Sequence, residues 1–260
     1  MRLTSVVFAA VAVVPATTGR APVTCRYRVE YRGSVVRIQV AHHSVSHETI
    51  PIHSAGVLTV QLTDSVPVRR LELVLDSLLV TRADGSPLPD AAGGAGSRWQ
   101  GRVEPDGDVV GLTSPGLVPG VRPLDRFARF LFAPWKRADG SAGARVDTTA
   151  WVTNQNGETG SERVISTYAP PRVERSGGRE HRVLTAAWTG SRSGTVPAGP
   201  ERMTVSAAAA GRTEYAYVAD DACPLAASWL GSTTQTRMAP AFPAPLTTTG
   251  GDSLTLTRLP

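Results

Sequence analysis

From residue 26 onward, hydrophobic and polar side chains alternate in segment after segment, at the period of a β-strand. In 26–40, Tyr27, Val29 and Tyr31 fall on one side, and Arg28, Glu30 and Arg32 on the other. Past a bend at Gly33, Val36, Ile38 and Val40 resume the series. The strongest stretch is 68–81. Leu71, Leu73 and Leu75 share a side, and Leu78 and Val80 continue one residue out of step, the shift that a β-bulge at Asp76–Ser77 would give. Pro67 precedes it and Asp84–Gly85 closes it in a turn, so the pattern predicts the longest and most central strand of an antiparallel sheet. A further strand is read at 57–62, with a polar linker carrying four histidines before it.

The segment 99–112 predicts a hairpin, because Val103 and Val109 flank Pro105–Asp106–Gly107–Asp108, residues that favour a tight turn. In the second half, strands are expected over 145–152, 163–168, 181–188, 202–208, 213–218, 228–238 and 253–259. Residues 87–97 read as a flexible loop, 154–160 and 176–178 as turns, and Gly190–Ser191–Arg192–Ser193–Gly194 as a Ser/Gly turn.

A helix is predicted only after Pro123, which suits a first helical position, with Asp125 in the first turn and Pro134 as the stop. Leu124, Phe127 and Leu131 share a face with Phe130 beside them, and Arg126 and Arg129 lie off it. So short a helix is marginal alone, so Phe127, Phe130 and Phe132 must pack on the sheet. No sequence repeat of fixed period suggests a solenoid or propeller. Each half has too few large apolar residues for its own core. The fold expected is mainly β: one domain over 24–260, a single antiparallel curved sheet or incomplete barrel built as a meander, with 124–132 packed on its concave side.

Residues 1–19 read as a signal peptide. Arg2 is a minimal positive region, 6–14 is an apolar stretch too short to span a bilayer, and Val14–Pro15–Ala16 offers small residues for cleavage. The expected location is therefore periplasmic or extracellular, with no transmembrane segment. In an oxidising compartment Cys25 and Cys223 are expected to form a disulfide, the other reading being two buried thiols. The formal charge is +5, but the arginines are scattered rather than clustered with aromatics, so nucleic acid is not an expected partner.

Candidate chemistry is sparse. His42, His43, His47 and His53 could hold a metal, since His43 and His47 stand at i and i+4. Ser44, however, occupies the place where a zinc-protease motif carries Glu, and Val45 and Ile50–Pro51–Ile52 argue against a helix, leaving a polar loop as the plainer reading. Asp106 with Asp108 and Asp220 with Asp221 are paired acids, but in turn sequences that favour Asp for backbone reasons. There is no Gly-x-Ser-x-Gly, no phosphate-cradling loop and no dinucleotide fingerprint, so no cofactor is expected. Trp151, Trp188 and Trp229 each lie in a predicted strand, as core residues or as the lining of an apolar concavity.

The order of parts resembles that of secreted β-rich proteins of bacterial envelopes and, more distantly, the half-barrel lipoprotein carriers. Alternating strands follow the leader. A Gly-x-Val-x-Pro-Asp-Gly hairpin from Gly101 to Gly107 precedes a Phe-rich helix ending in Pro134–Trp135, and a meander finishes the chain. The resemblance implies a hollow for an acyl chain beneath a helical lid. The expected function is a non-catalytic exported protein that binds an apolar small molecule or lipid, or another envelope protein. Phe127, Phe130, Leu131 and Trp135 are the candidate ligand-binding residues. The alternatives are a hydrolase, metal-assisted through the histidines, and a structural or adhesive surface protein.

Overall fold

The computed structural model describes residues 22–41, 44–65, 68–88, 94–113, 121–133, 145–155, 158–176, 178–198, 201–218, 221–239 and 244–260. Among them the alternating segments form twelve strands of a single antiparallel sheet, curled into a half-barrel around one short helix. The first half supplies β1 (Val23–Ala41), β2 (Ser44–Ser65), β3 (Val68–Arg82), β4 (Arg98–Val103), β5 (Val109–Thr113) and helix α1 (Arg122–Ala128). The second supplies β6 (Arg145–Gln155), β7 (Glu158–Tyr168), β8 (Arg172–Ser176), β9 (Arg179–Ala198), β10 (Glu201–Tyr217), β11 (Ala226–Met238) and β12 (Leu246–Arg258). The order across the sheet is β5-β4-β3-β2-β1-β12-β11-β10-β9-β7-β6, with β8 also paired to β9. Two meanders thus meet where β12 lies beside β1, and the segment carrying α1 links the two sheet edges, β5 and β6.

The predicted bulge is present. Leu58 faces Leu75 and Val57 faces Ser77, so Asp76 is the extra residue. The shift keeps Leu71, Leu73, Leu75 and Val80 on the inner face, where each is buried. They pack with Tyr27, Val29, Leu58, Val60 and Leu62 from β1 and β2. Each such side chain contributes roughly 1.5–3 kcal/mol by leaving water.

Four expectations need correction. β3, with 15 residues, is neither the longest strand nor the central one; β2 has 22, and β1 and β12 occupy the middle of the order. Leucine density marks the best-buried strand, not its rank in the sheet. The expected histidine linker is the continuation of β1 and β2 into one long hairpin, with His47 facing Ile38 and His53 facing Arg32. Residues 190–194 are not a turn but the middle of β9, and 202–208 and 213–218 are one strand, β10. Glycine and alanine there keep the two-residue alternation while lacking the hydrophobic contrast that reveals it. The α-helix proper is two turns, and turns carry the chain from there to Ala133.

Glycines and a bulge bend this sheet. Gly211 faces Gly231, and Gly160 faces Gly194. A Cβ on Gly211 would sit 2.1 Å from the carbonyl oxygen of Leu230, and one on Gly194 would sit 2.2 Å from that of Thr159. Neighbouring backbones therefore approach more closely than any side-chain-bearing residue permits. Outside, hydroxyl pairs such as Thr234–Thr249 and Thr236–Thr247, each 3.2 Å apart, tie adjacent strands.

One end of the barrel is clasped. Cys25 of β1 is disulfide-bonded to Cys223, in the turn between β10 and β11. The Tyr27 hydroxyl donates to the Pro224 carbonyl at 2.9 Å, and Arg258 at the end of β12 pairs with Asp221 of the same turn. Burial pushes the Tyr27 phenol well above its ordinary value. Among the described residues no helix is long and apolar enough to cross a membrane.

Candidate functional site

Helix α1 divides the concave face. Leu124, Phe127, Phe130, Leu131 and Phe132 are all buried in the core. The Trp99 indole of β4 donates to Asp125 at 3.1 Å and fixes the helix to the sheet. Phe130 meets Trp151 edge-on at 6.3 Å and Trp229 at 5.9 Å, and Trp229 stacks on Trp188 at 4.1 Å. Three tryptophans from β6, β9 and β11 thus gather around one phenylalanine. Of the candidate ligand residues, Phe127, Phe130 and Leu131 lie in this packing as wedge and floor, while Trp135 is outside the described residues.

The two arginines off the helix's apolar face turn to the same aromatic cluster. Arg126 pairs with Glu162 of β7, and both side chains are largely buried. The Arg129 guanidinium lies 4.7 Å over the Trp151 ring, a cation–π contact. Burial lowers the Arg129 pKa from its ordinary value, opposed by Asp125 and Glu162. Deeper along β9, Arg192 pairs with Glu158, which is fully buried. Asp252 of β12 faces inward opposite Gly231. Burial raises its carboxyl above the ordinary range, with nearby Arg126 pulling the other way. Tyr31 is raised by burial and by Asp252, with Arg126 opposing.

Past this belt the inner face changes character. The row through Val164, Gly190, Ala209, Thr233 and Gly250 runs across β7, β9, β10, β11 and β12. The next row holds Glu162, Arg192, Ala207, Gln235 and Thr248. Of these ten residues only Val164 is buried, whereas Leu71, Leu73 and Leu75 of β3 on the other side of α1 are fully covered. A second, smaller apolar group, Met203, Val205 and Ala239 with Val196 and Leu246, closes the far rim. Together these rows form a trough lined by small side chains, with an aromatic wall at one end and an apolar rim at the other. Aspartate and arginine stand at the foot of the aromatic wall. A separate shallow depression of about 320 Å³ lies across β6, β7 and β9. Trp151, Glu162 and Arg192 of the inward row line it together with their strand neighbours, among them Val152, Ser161 and Ser193.

The other sequence candidates do not converge. His42 and His43 lie outside the described residues. His47 and His53 stand six residues apart on β2, a span of about 20 Å in a strand. Among the described residues no three His, Cys, Asp or Glu side chains group as metal ligands would. Asp106 accepts from its own turn, at the Asp108 amide, and Asp221 serves the Cys223 turn; Asp220 is outside the described residues. The trough groups, Arg126, Glu162, Arg192 and Asp252, were not singled out as a site from sequence. They come from distant segments: Arg126 follows the start of the predicted helix, Arg192 lies in the stretch expected to be a Ser/Gly turn, and Glu162 and Asp252 precede predicted strands. No protein-family model matches the chain, and no curated protein matches it in sequence.

Proposed function

We propose that this is a non-catalytic, exported binding protein whose trough holds an apolar or amphiphilic small molecule, as the half-barrel carriers do. One observation carries the reading. The described residues pack the concave face solidly on one side of α1 and leave it lined by half-covered glycine, alanine and threonine on the other. A hydrophobic wall beside uncovered small side chains is what a ligand groove requires, with large apolar contact and a few placed polar groups. Export is supported by the disulfide, which persists in oxidising compartments, and by the apolar stretch at 6–14.

Native mass spectrometry after gentle purification tests this. The expected result is a chain carrying extra mass that is released by organic solvent and identified as an amphiphile. A bare chain, which also gains no mass when incubated with a long-chain fatty acid, overturns the reading.

A further inference from the structure

We propose that the foot of the aromatic wall, where Trp188, Asp252 and Tyr31 converge over a row of glycines, is a subsite for a hydroxylated, sugar-type head group. This rests on the trough being a ligand groove and adds the chemistry of the ligand's polar end. The row runs from Trp188 through Gly211 and Gly231 to Asp252. A Cβ on Gly231 would lie 2.7 Å from Trp188 Cζ2 and 3.2 Å from Asp252 Oδ1, so both side chains reach over that glycine. From the other side the Tyr31 hydroxyl folds over Gly33, 2.1 Å from where its Cβ would be. The glycines therefore make room for three polar groups to meet.

The hydrogen-bond inventory of this spot is incomplete. Trp188 is 3% exposed and its Nε1, on the same ring edge as Cζ2, has no acceptor. Ser54, facing Tyr31 on β2, is 2% exposed and its Oγ has no partner either. Asp252 makes no ion pair within 4 Å among the described residues. Two of the neighbouring arginines are ion-paired, Arg126 with Glu162 and Arg192 with Glu158, and Arg129 lies over the Trp151 ring with its buried Nε–H unpaired. A buried donor left without an acceptor is costly, so a ligand group that accepts from it gains affinity.

The ligand class follows from which groups stand open. An anionic head would face the Asp252 carboxyl, with Arg126 and Arg192 already paired to Glu162 and Glu158. An ammonium has donors but no acceptor, so it would leave the Trp188 N–H unpaired and would approach Arg126. A hydroxyl both donates and accepts. It can give its proton to Asp252 and accept from Trp188 at once.

Three probes with the same tail separate these cases: dodecyl maltoside, dodecyl sulfate and dodecyltrimethylammonium, each titrated calorimetrically into the full chain below its micelle concentration. The maltoside is expected to bind about ten-fold or more tighter than either charged probe, as one or two recovered hydrogen bonds would give. Asp252→Ala and, separately, Trp188→Phe are each expected to remove most of that preference, with dodecyl sulfate binding changed less than about two-fold in Trp188→Phe and unchanged or tighter in Asp252→Ala, which removes a like charge. Equal affinity for the three probes, or a preference for a charged one, overturns the head-group subsite and leaves the groove standing. A maltoside preference untouched by both variants overturns its placement. Failure of all three to bind overturns the groove and the subsite together.

Discussion

The two sides of α1 use the same strand geometry for opposite ends. On one side β1 to β5 present leucine, valine and tyrosine, and the helix fills the space between them. The near ends of β7 and β9 to β12 join that packing with Tyr168, Leu184, Tyr215, Trp229 and Leu254, whereas their far ends present glycine, alanine, threonine and a few charges, and the described residues leave the surface there half covered. The difference lies in side-chain size more than in backbone pattern, since inward and outward positions alternate through both, broken in the first half by the bulge at Asp76. A half-barrel can therefore be rigid at one end and receptive at the other within single strands that run the whole length, as β9 and β10 do.

The largest break in this contrast should come from the clasp. Replacing Cys25 and Cys223 together by Ser removes a crosslink spanning 198 residues, worth about 4–5 kcal/mol at most if its effect is the entropy of the unfolded chain. Chemical denaturation of the reduced or doubly substituted chain, compared with the native one, measures it. Loss of less than about 1 kcal/mol would mean that the packed end holds without the clasp.

Next is the core itself. Leu73→Ala, at a position 1% exposed, should cost about 2–5 kcal/mol, whereas Thr233→Ala on the trough row should stay within about 0.5 kcal/mol. Equal costs at the two sites would erase the distinction between halves. A third comparison tests curvature. Gly194→Ala puts a methyl group against the backbone of Thr159 and should cost about 1–3 kcal/mol, while Gly251→Ala, with nothing nearer than 3.7 Å, should be close to neutral.

The periodicity in the sequence sufficed for β1, β3 and the β4–β5 hairpin, where polar and large apolar residues alternate, and even for the bulge at Asp76, but not for the histidine-bearing start of β2. It failed in β9 and β10. Between Trp188 and Val196 the inward positions are Gly190, Arg192 and Gly194, and the outward ones are threonine and serine, so the same alternation carries no hydrophobic contrast. Glycine that bends a strand and glycine that makes a turn look alike until a partner strand is in place. The charged belt was illegible for a different reason: Arg126, Glu162 and Asp252 are brought together only when β7, β9, β10, β11 and β12 lie side by side and the α1 segment packs against them.

The smallest expected effect is on pH dependence. Burial raises the Asp252 carboxyl above its ordinary value, so the folded chain binds its proton more tightly than the unfolded chain does. That proton's contribution to stability is full below the unfolded pKa and is lost as pH rises through the folded one. Asp252→Asn, which cannot ionise, should therefore raise the melting temperature at neutral pH, and the gain should vanish in acid below the ordinary carboxylate range. A gain that persists unchanged in acid would assign it to packing instead.

The most direct test of the division between a filled and a receptive half is energy transfer from tryptophan to a fluorescent long-chain fatty acid. Trp188 and Trp229 stand at the boundary, so a tail bound in the trough lies within reach of both. The account predicts saturable transfer at one probe per chain that is abolished by Ala209→Phe, which fills the trough row. Absence of transfer in the native chain, or transfer that survives Ala209→Phe undiminished, would contradict it.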